Sequence, residues 1–456
     1  MSTATVPLAK SGPRSRIIID IAMEMQREGY LPFLTNTWRK YGDLAHMQIG
    51  PGNVFLVTHP DHVRHVNVSS RQNYEKGPSY KAVRELLLGN GLVASTGDLW
   101  RRQRRLMAPF FTPRAVEQYY KLMVEDGDWF IQRWNGLAGS QLQVEMINEM
   151  MIITARIILR TMFSMHADED IVQLKGAVET MISFTARHEI NPFSMPLWMP
   201  TPPNQKYKQA RQQVHTYIDG LIAQRRAIPQ EQWPEDLLGK LMGSRDEESG
   251  EMMPDDLVRD EAITMFFAGH ETTARTLSFM WYALSQNPEV AEKLHEEIDR
   301  VVGDKFPSID DLKQLPYTLQ VIKETLRLYP PAPIYARDAV GEDVIDGVTI
   351  PAGARMLPIP WITHRHPDFW ENPEAFDPER WTPEREAQMH PYQYHPFAAG
   401  QRICIGNNFS LFESHLLTTM LARRFAPLLK PGHKPRFEMA GTLSSLNGLP
   451  MTIRKR

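Results

Sequence analysis

The spacing of apolar residues divides the chain into long stretches with a period of three to four and short stretches with a period of two. The helical period runs through residues 114–165, 168–188, 208–226, 257–286, 288–302, 317–328 and 407–425, since residues three and four apart share a face of a helix. A further helix opens at Trp100. Residues 43–58 alternate on either side of Pro51-Gly52, which predicts a β-hairpin. Residues 343–360 and 436–454 read as short strands with glycine turns. The predicted fold is mainly α with a small β-rich lobe, drawn from about residues 40–70 and 335–365 plus a C-terminal hairpin, in a single domain over residues 1–456. Residues 227–256, with RDEESGEMMPDD near their end, read as a polar surface loop.

Composition narrows the function. Lys+Arg number 51 against 54 Asp+Glu, so no net field draws the chain to nucleic acid or an anionic membrane. The N-terminal apolar run is short and carries Asp20 and Glu24. It is neither a span of about 20 apolar residues nor a signal peptide, which leads to the expectation of a cytoplasmic protein with no membrane insertion. Met146, Met150, Met151, Met162 and Met165 fall in one helical stretch and read as core filling. Two motif traps fail: Gly269-His270-Glu271 lacks the second zinc-binding His, Ala274 standing in its place, and no glycine-rich dinucleotide or P-loop pattern follows a strand.

The single cysteine, Cys404, rules out an intrachain disulfide. Taken alone it is a small buried hydrophobe as readily as a reactive thiol. Its surroundings are Pro-Phe-Ala-Ala-Gly-Gln-Arg-Ile-Cys-Ile-Gly over residues 396–406, just ahead of an apolar helix. Glycines permit a tight turn close to a flat ligand, and amides at a helix start favour a thiolate. The pattern Phe397-x-x-Gly400-x-Arg402-x-Cys404-x-Gly406 resembles the signature of the cytochrome P450 family, departing from it at Ala398, where the family often has Gly. The resemblance implies haem b with Cys404 as axial thiolate, Phe397 over the sulfur and Arg402 on a haem propionate.

A second segment agrees. Ala268-Gly269-His270-Glu271-Thr272-Thr273 lies inside the apolar run 257–286, and polar groups there are costly unless used. The Thr272 hydroxyl can bond the Ala268 carbonyl and open the helical ladder. Gly269 then leaves room for O2, and Glu271 can relay protons as a general acid. Polar residues on a solvent face are the plainer alternative. The segment resembles the same family's oxygen-binding motif.

Glu324-x-x-Arg327 puts a carboxylate and a guanidinium on one helix face, as an exposed pair or, with Arg380, as a buried triad. These resemble the family's ExxR and PER motifs, which implies a structural role bracing the cysteine loop. Trp100 and Arg104 resemble the family's WxxxR and, with Arg337, imply further propionate contacts. His364 and His366 read as polar loop residues, since no metal-ligand spacing surrounds them. Arg101, Arg102 and Arg105 form either a docking patch for an acidic partner or a solvated face.

The resemblance spans nearly the whole chain. It implies that family's triangular fold, a monomer, and insertion of one oxygen atom from O2 into an apolar organic molecule. Ala268 and Gly269 would flank the haem, and Val93, Thr264, Phe267, Ala268, Ala332 and Ile334 would line the substrate. With no flavin or nicotinamide motif in this chain, electrons must come from a ferredoxin or flavodoxin with its reductase. Two rivals are a peroxygenase or other haem enzyme that does not use O2, and a non-catalytic haem sensor. Glu271 and Thr272 weigh against both.

Overall fold

The computed structural model describes residues 11–15, 18–49, 51–140, 142–165, 168–190, 194–246, 248 and 250–456; the beginning of the N-terminal run lies outside them. The chain divides into two compact units.

The first unit comprises Met1–Tyr80, Lys323–Cys404 and Arg436–Leu446. Its centre is a six-stranded sheet ordered Ser11–Ser15, His46–Ile49, Gly52–Val57, Arg355–Pro358, Arg337–Ala339, Tyr74–Glu75. The predicted hairpin is present, with His46 opposite Phe55 and Ile49 opposite Gly52. Val54, Phe55, Leu56 and Val57 are buried in succession. Both faces of this strand are therefore covered, which explains the unbroken apolar run. Phe55 and Val57 join Val63, Val66, Ile350, Met356 and Ala399 in one core cluster, so the loop before Cys404 is anchored in the sheet's own core. Of the tail, Phe437–Ala440 and Thr442–Ser445 form a hairpin in this unit.

The second unit comprises Lys81–Ile322, Ile405–Pro435 and Asn447–Arg456. It is built around the helix Asp255–Gln286, hereafter the long helix, whose apolar residues are buried almost throughout. Met146–Phe163 packs along it and buries the methionines predicted as core. Gly269 makes this packing possible: a Cβ there would come within 2.6 Å of Ile158 Cδ1. The Thr154 hydroxyl adds a bond to the His270 carbonyl at 2.9 Å. The last strand of the tail, Pro450–Thr452, pairs with Gln143–Glu145 and with Leu428–Leu429 in this unit.

Two expectations change. The stretch 114–165 is not one helix; it breaks into Pro113–Glu117, Tyr120–Leu137, the strand Gln143–Glu145 and Met146–Phe163. The polar segment 227–256 is not all surface loop. It contains the helix Leu237–Gly243, which buries Leu237, Leu238, Leu241 and Met242. Asp236 caps this helix through the Gly239 amide (2.8 Å) and takes a 2.8 Å hydrogen bond from the buried Arg225, so short-range capping and one ion pair fix it. Among the described residues no helix is long and apolar enough to cross a membrane.

Candidate active site

In the first unit the cysteine loop is held by its main chain. The Ala398 amide donates to the His395 carbonyl (3.1 Å), Ile403 to Gly400 (3.1 Å), and Cys404 to Phe397 (2.9 Å). Gly400 has φ +67°, and a Cβ there would collide with the Asn67 carbonyl oxygen, so only glycine fits. Ala398 adopts φ +61°, a left-handed conformation that costs an L-residue about 1–2 kcal/mol. The Gly-to-Ala departure noted in the sequence thus strains the turn. Phe397 is half-buried, and Cys404 is exposed at the loop's end.

Arg337 lies on the strand Arg337–Ala339. It is 3% exposed, donates to its neighbour's carbonyl at Ala336 (2.8 Å) and sits over the Tyr335 ring. No carboxylate among the described residues pairs with it. Ala332 is exposed and Ile334 is buried.

Glu324 and Arg327 are fully buried and joined by two hydrogen bonds of 2.9 and 2.8 Å. Arg327 also donates to the carbonyls of His364 (2.7 Å), Pro373 (2.7 Å) and Ala375 (2.8 Å). Glu324 accepts from the Asp377 amide (2.9 Å) and the Trp381 indole (3.0 Å), and Arg380 Nε lies 3.4 Å away. The exposed-pair reading is therefore excluded.

The histidines lie at a turn, as the sequence suggested, but both are buried. His364 is fully buried: its Nδ1 lies 3.1 Å from the Arg327 carbonyl, and its Nε2 accepts from the His395 amide at 2.9 Å. Burial holds its pKa well below the usual imidazole range. A neutral ring with one donor and one acceptor thus links the Glu324–Arg327 pair to the segment that enters the cysteine loop. His366, also buried, reaches Asp43 at 3.0 Å. Loop composition hid both. Among the described residues no cluster of His, Cys, Asp or Glu is suited to hold a metal ion.

In the second unit, Thr272 Oγ1 donates to the Ala268 carbonyl at 2.8 Å, as its position predicts, yet the helix runs unbroken through this turn. Glu271 is 3% exposed and Arg275 reaches it at 3.3 Å. Gly269 faces Ile158, so its missing side chain serves helix packing and not an open notch. Phe267 and Ala268 are half-buried, as are Thr272 and Val93. Thr264, expected as a substrate contact, is fully buried, with Gly91 pressed against its hydroxyl.

Trp100, buried, and Arg104, half-buried, lie on the helix Gly97–Met107. The neighbouring arginines do not form a free basic patch. Arg101 pairs with Asp98; Arg102 pairs with Asp246 (3.2 Å) and Glu251 (3.3 Å); Arg105 pairs with Asp246 (2.7 Å) and Glu248 (2.9 Å). Asp246 is only 4% exposed, so Arg102 and Arg105 are tied down by carboxylates some 140 positions away.

Sequence reading also missed Asp260 and Glu261. They lie in the second turn of the long helix and accept hydrogen bonds from the amides of Asn90 and Leu92. Two acids entering an apolar helical run were the available signal.

The Cytochrome P450 family model matches residues 11–452. Cyclooctat-9-en-7-ol 5-monooxygenase of Streptomyces melanosporofaciens is 32% identical over 89% of this chain and 89% of its own. Pentalenene oxygenase of Streptomyces avermitilis is 32% identical over 91% of each. The crystal structure of the cytochrome P450DA heme domain superposes with a TM-score of 0.89 at 25% identity, covering 99% of both chains. Members of this family carry haem iron on a cysteine thiolate. With the family model matched over nearly its whole length, the chain belongs to the cytochrome P450 family of monooxygenases.

Proposed function

We propose that residues 1–456 form one haem domain that binds haem b through the Cys404 sulfur and inserts one oxygen atom of O2 into an apolar organic substrate. The observation that carries this reading is the Cys404 loop, an exposed thiol on a rigid main-chain frame. Arg337 adds to it: a buried cation with no carboxylate partner among the described residues calls for an anion, and a haem propionate is one. When bound, the thiolate-ligated haem iron supplies O2 activation and O–O cleavage.

The protein's residues do the rest. Gly400 and Gly406 let the backbone close around the ligand, while Phe397 shields the sulfur from water. Arg402, Arg337, Trp100 and Arg104 donate to propionates. Ala268 and Gly269 present a flat stretch of helix. Thr272 holds a proton or water at Oγ1, where its hydroxyl already bridges to the Ala268 carbonyl. Glu271 delivers protons to that point as general acid, exchanging its contact with Arg275 for water as it does so. Glu324, Arg327 and Arg380 are structural. This relay favours O2 over peroxide, which brings its own protons, and favours turnover over sensing.

Val93, Phe267, Ala268, Ala332 and Ile334 give an apolar lining. Two relatives are named for pentalenene and cyclooctat-9-en-7-ol, which supports a substrate class of cyclic molecules with few polar groups. Electrons come from a ferredoxin or flavodoxin with its reductase. The protein works as a cytoplasmic monomer.

The test is the spectrum of the reduced, CO-bound protein. The red-shifted Soret band of a thiolate-bound haem is expected in the wild type and is lost in Cys404→His. A thiolate-type band that survives Cys404→His sinks the assignment.

A further inference from the structure

Residues 89–93 read Gly-Asn-Gly-Leu-Val, and they lie flat on the second and third turns of the long helix. The Asn90 amide donates to Asp260 Oδ2 at 2.8 Å and the Leu92 amide to Glu261 Oε2 at 3.0 Å. From the other side, Gln103 Nε2 donates to the Asn90 carbonyl at 2.7 Å. Gly89 takes φ +56°, and a Cβ there would overlap the Asp260 carboxylate; at Gly91 it would overlap the Thr264 hydroxyl. Both glycines are therefore dictated by the close approach of the loop to the helix.

This contact leaves buried polar atoms unsatisfied among the described residues. Glu261 and Thr264 are both fully buried, yet Glu261 Oε1 and Thr264 Oγ1 have no hydrogen-bond partner among the described residues. Buried polar groups without partners favour any motion that hydrates them. The loop thus covers two groups that gain by its opening, and the bonds from its Asn90 and Leu92 amides to the Asp260 and Glu261 side chains tie it to the helix.

We propose that Asp260 and Glu261 form a latch on the Gly89–Leu92 loop, with Glu261 the positioning residue that sets where Val93 stands and whether Thr264 is open to substrate. The proposal rests on the reading of Val93 as a substrate contact. Glu261 acts on specificity through the loop and takes no part in proton delivery.

The latch responds to pH. The loop contains no titratable side chain. Glu261 faces Asp260, which in turn feels Asp256 and Arg259 on the same helix and Arg211 on the helix Pro202–Arg226. His215, on that helix beside Arg211, is held neutral by burial, its pKa lowered to about 4. Burial raises the Glu261 carboxyl to about 8, with the neighbouring Asp260 charge adding to it and the Leu92 amide opposing it. The closed loop therefore holds a proton that an open, hydrated Glu261 releases. Raising the pH towards 8 favours opening, and the effect levels off above it.

Amide hydrogen exchange on the haem-loaded protein, as protection factors for Asn90 and Leu92, tests this directly. Wild-type protection is expected to fall by about tenfold or more between pH 6 and 8. Glu261→Gln keeps an acceptor for Leu92 without a charge, so it should retain protection and lose the pH response. Glu261→Ala should lose about tenfold or more of the protection and shift pentalenene affinity, read by the haem spin state, in the same direction at every pH. Wild-type protection in Glu261→Ala overturns the latch, as does a pH response retained in Glu261→Gln. Loosened amides with unchanged pentalenene binding overturn its role in specificity. Failure of the haem assignment itself shows separately, as a wild-type protein without the thiolate-type CO spectrum.

Discussion

Replacing Arg327 with Met is the sharpest test of the scaffold behind the cysteine loop. Arg327 is fully buried and donates to both oxygens of Glu324 and to the carbonyls of His364, Pro373 and Ala375. Removing it leaves the buried Glu324 carboxylate with Arg380 Nε at 3.4 Å as its remaining cation, a loss of up to about 3–5 kcal/mol. Each of the three carbonyls left unpaired costs about 1–3 kcal/mol more. The combined loss is up to about 6–14 kcal/mol, comparable with the entire stability of a typical protein at about 5–15 kcal/mol. Arg327→Met should therefore accumulate little folded, haem-loaded protein. Glu324→Gln with Arg327→Met removes the charge and keeps one acceptor oxygen, enough for the Asp377 amide or the Trp381 indole but not both, since these bond different oxygens of Glu324. The double variant should recover the charge part of the loss, about 3–5 kcal/mol, less about 1–3 kcal/mol for the one donor left unpaired. Urea unfolding followed by tryptophan fluorescence, with haem content per chain, reads both. A double variant no more stable than Arg327→Met would show that the buried charge is not what makes this pair indispensable.

Ala398→Gly relieves the left-handed strain at φ +61°; after the extra entropy cost of glycine the gain should be a few tenths to about 1 kcal/mol, seen as a higher thermal midpoint, and a lower midpoint refutes the strain argument. Thr272→Ala should keep haem and substrate binding but divert reducing equivalents to peroxide; product and peroxide measured per electron pair check it, and unaltered coupling assigns the relay elsewhere. Acid should weaken the fold. Burial lowers the pKa of His415 to about 4 while its Nε2 stays 3.1 Å from the Leu315 carbonyl, so the unfolded chain takes up the proton first, and stability present above pH 6.5 is lost as pH falls, by about 1.4 kcal/mol at pH 5.5 for this residue alone. His415→Gln should flatten that part of a pH series of urea midpoints, and an unchanged slope counts against it. Arg101→Glu should change reduction by an added ferredoxin less than about twofold across a salt series, since Arg101 already pairs with Asp98; a large low-salt defect in stopped-flow reduction would restore this helix as a docking face.

What the sequence made legible follows from the range of each interaction. Helices such as Asp168–Ile190 and Pro288–Val301 were readable because their period is local. Cys404, Thr272 and the Glu324–Arg327 pair were readable because their spacing is fixed within a turn or a loop. The rest depends on partners far along the chain. The basic run at 101–105 looks like an open patch until Asp246, Glu248 and Glu251 arrive from a distant loop. Gly269 looks like a gap until Ile158 fills it, and Thr264 looks available until Gly91 covers it. Leu237–Gly243 was lost among charged neighbours because seven residues are too few for a period to show. His364 was read by its neighbours' polarity, whereas its burial is set by Arg327 and His395.

The main-chain frame of the cysteine loop has a consequence for how this segment can drift over evolutionary time. Its shape is written in amide–carbonyl bonds among His395, Phe397, Ala398, Gly400, Ile403 and Cys404 and in the torsions at 398 and 400. Bonds between backbones are blind to side-chain identity. Gln401 and Ile403 are exposed between these fixed points, so selection can exchange them while the thiol keeps its place. The loop is thereby divided into positions that define an ancestry and positions that adapt to whatever meets that surface, and the two kinds alternate within five residues of each other.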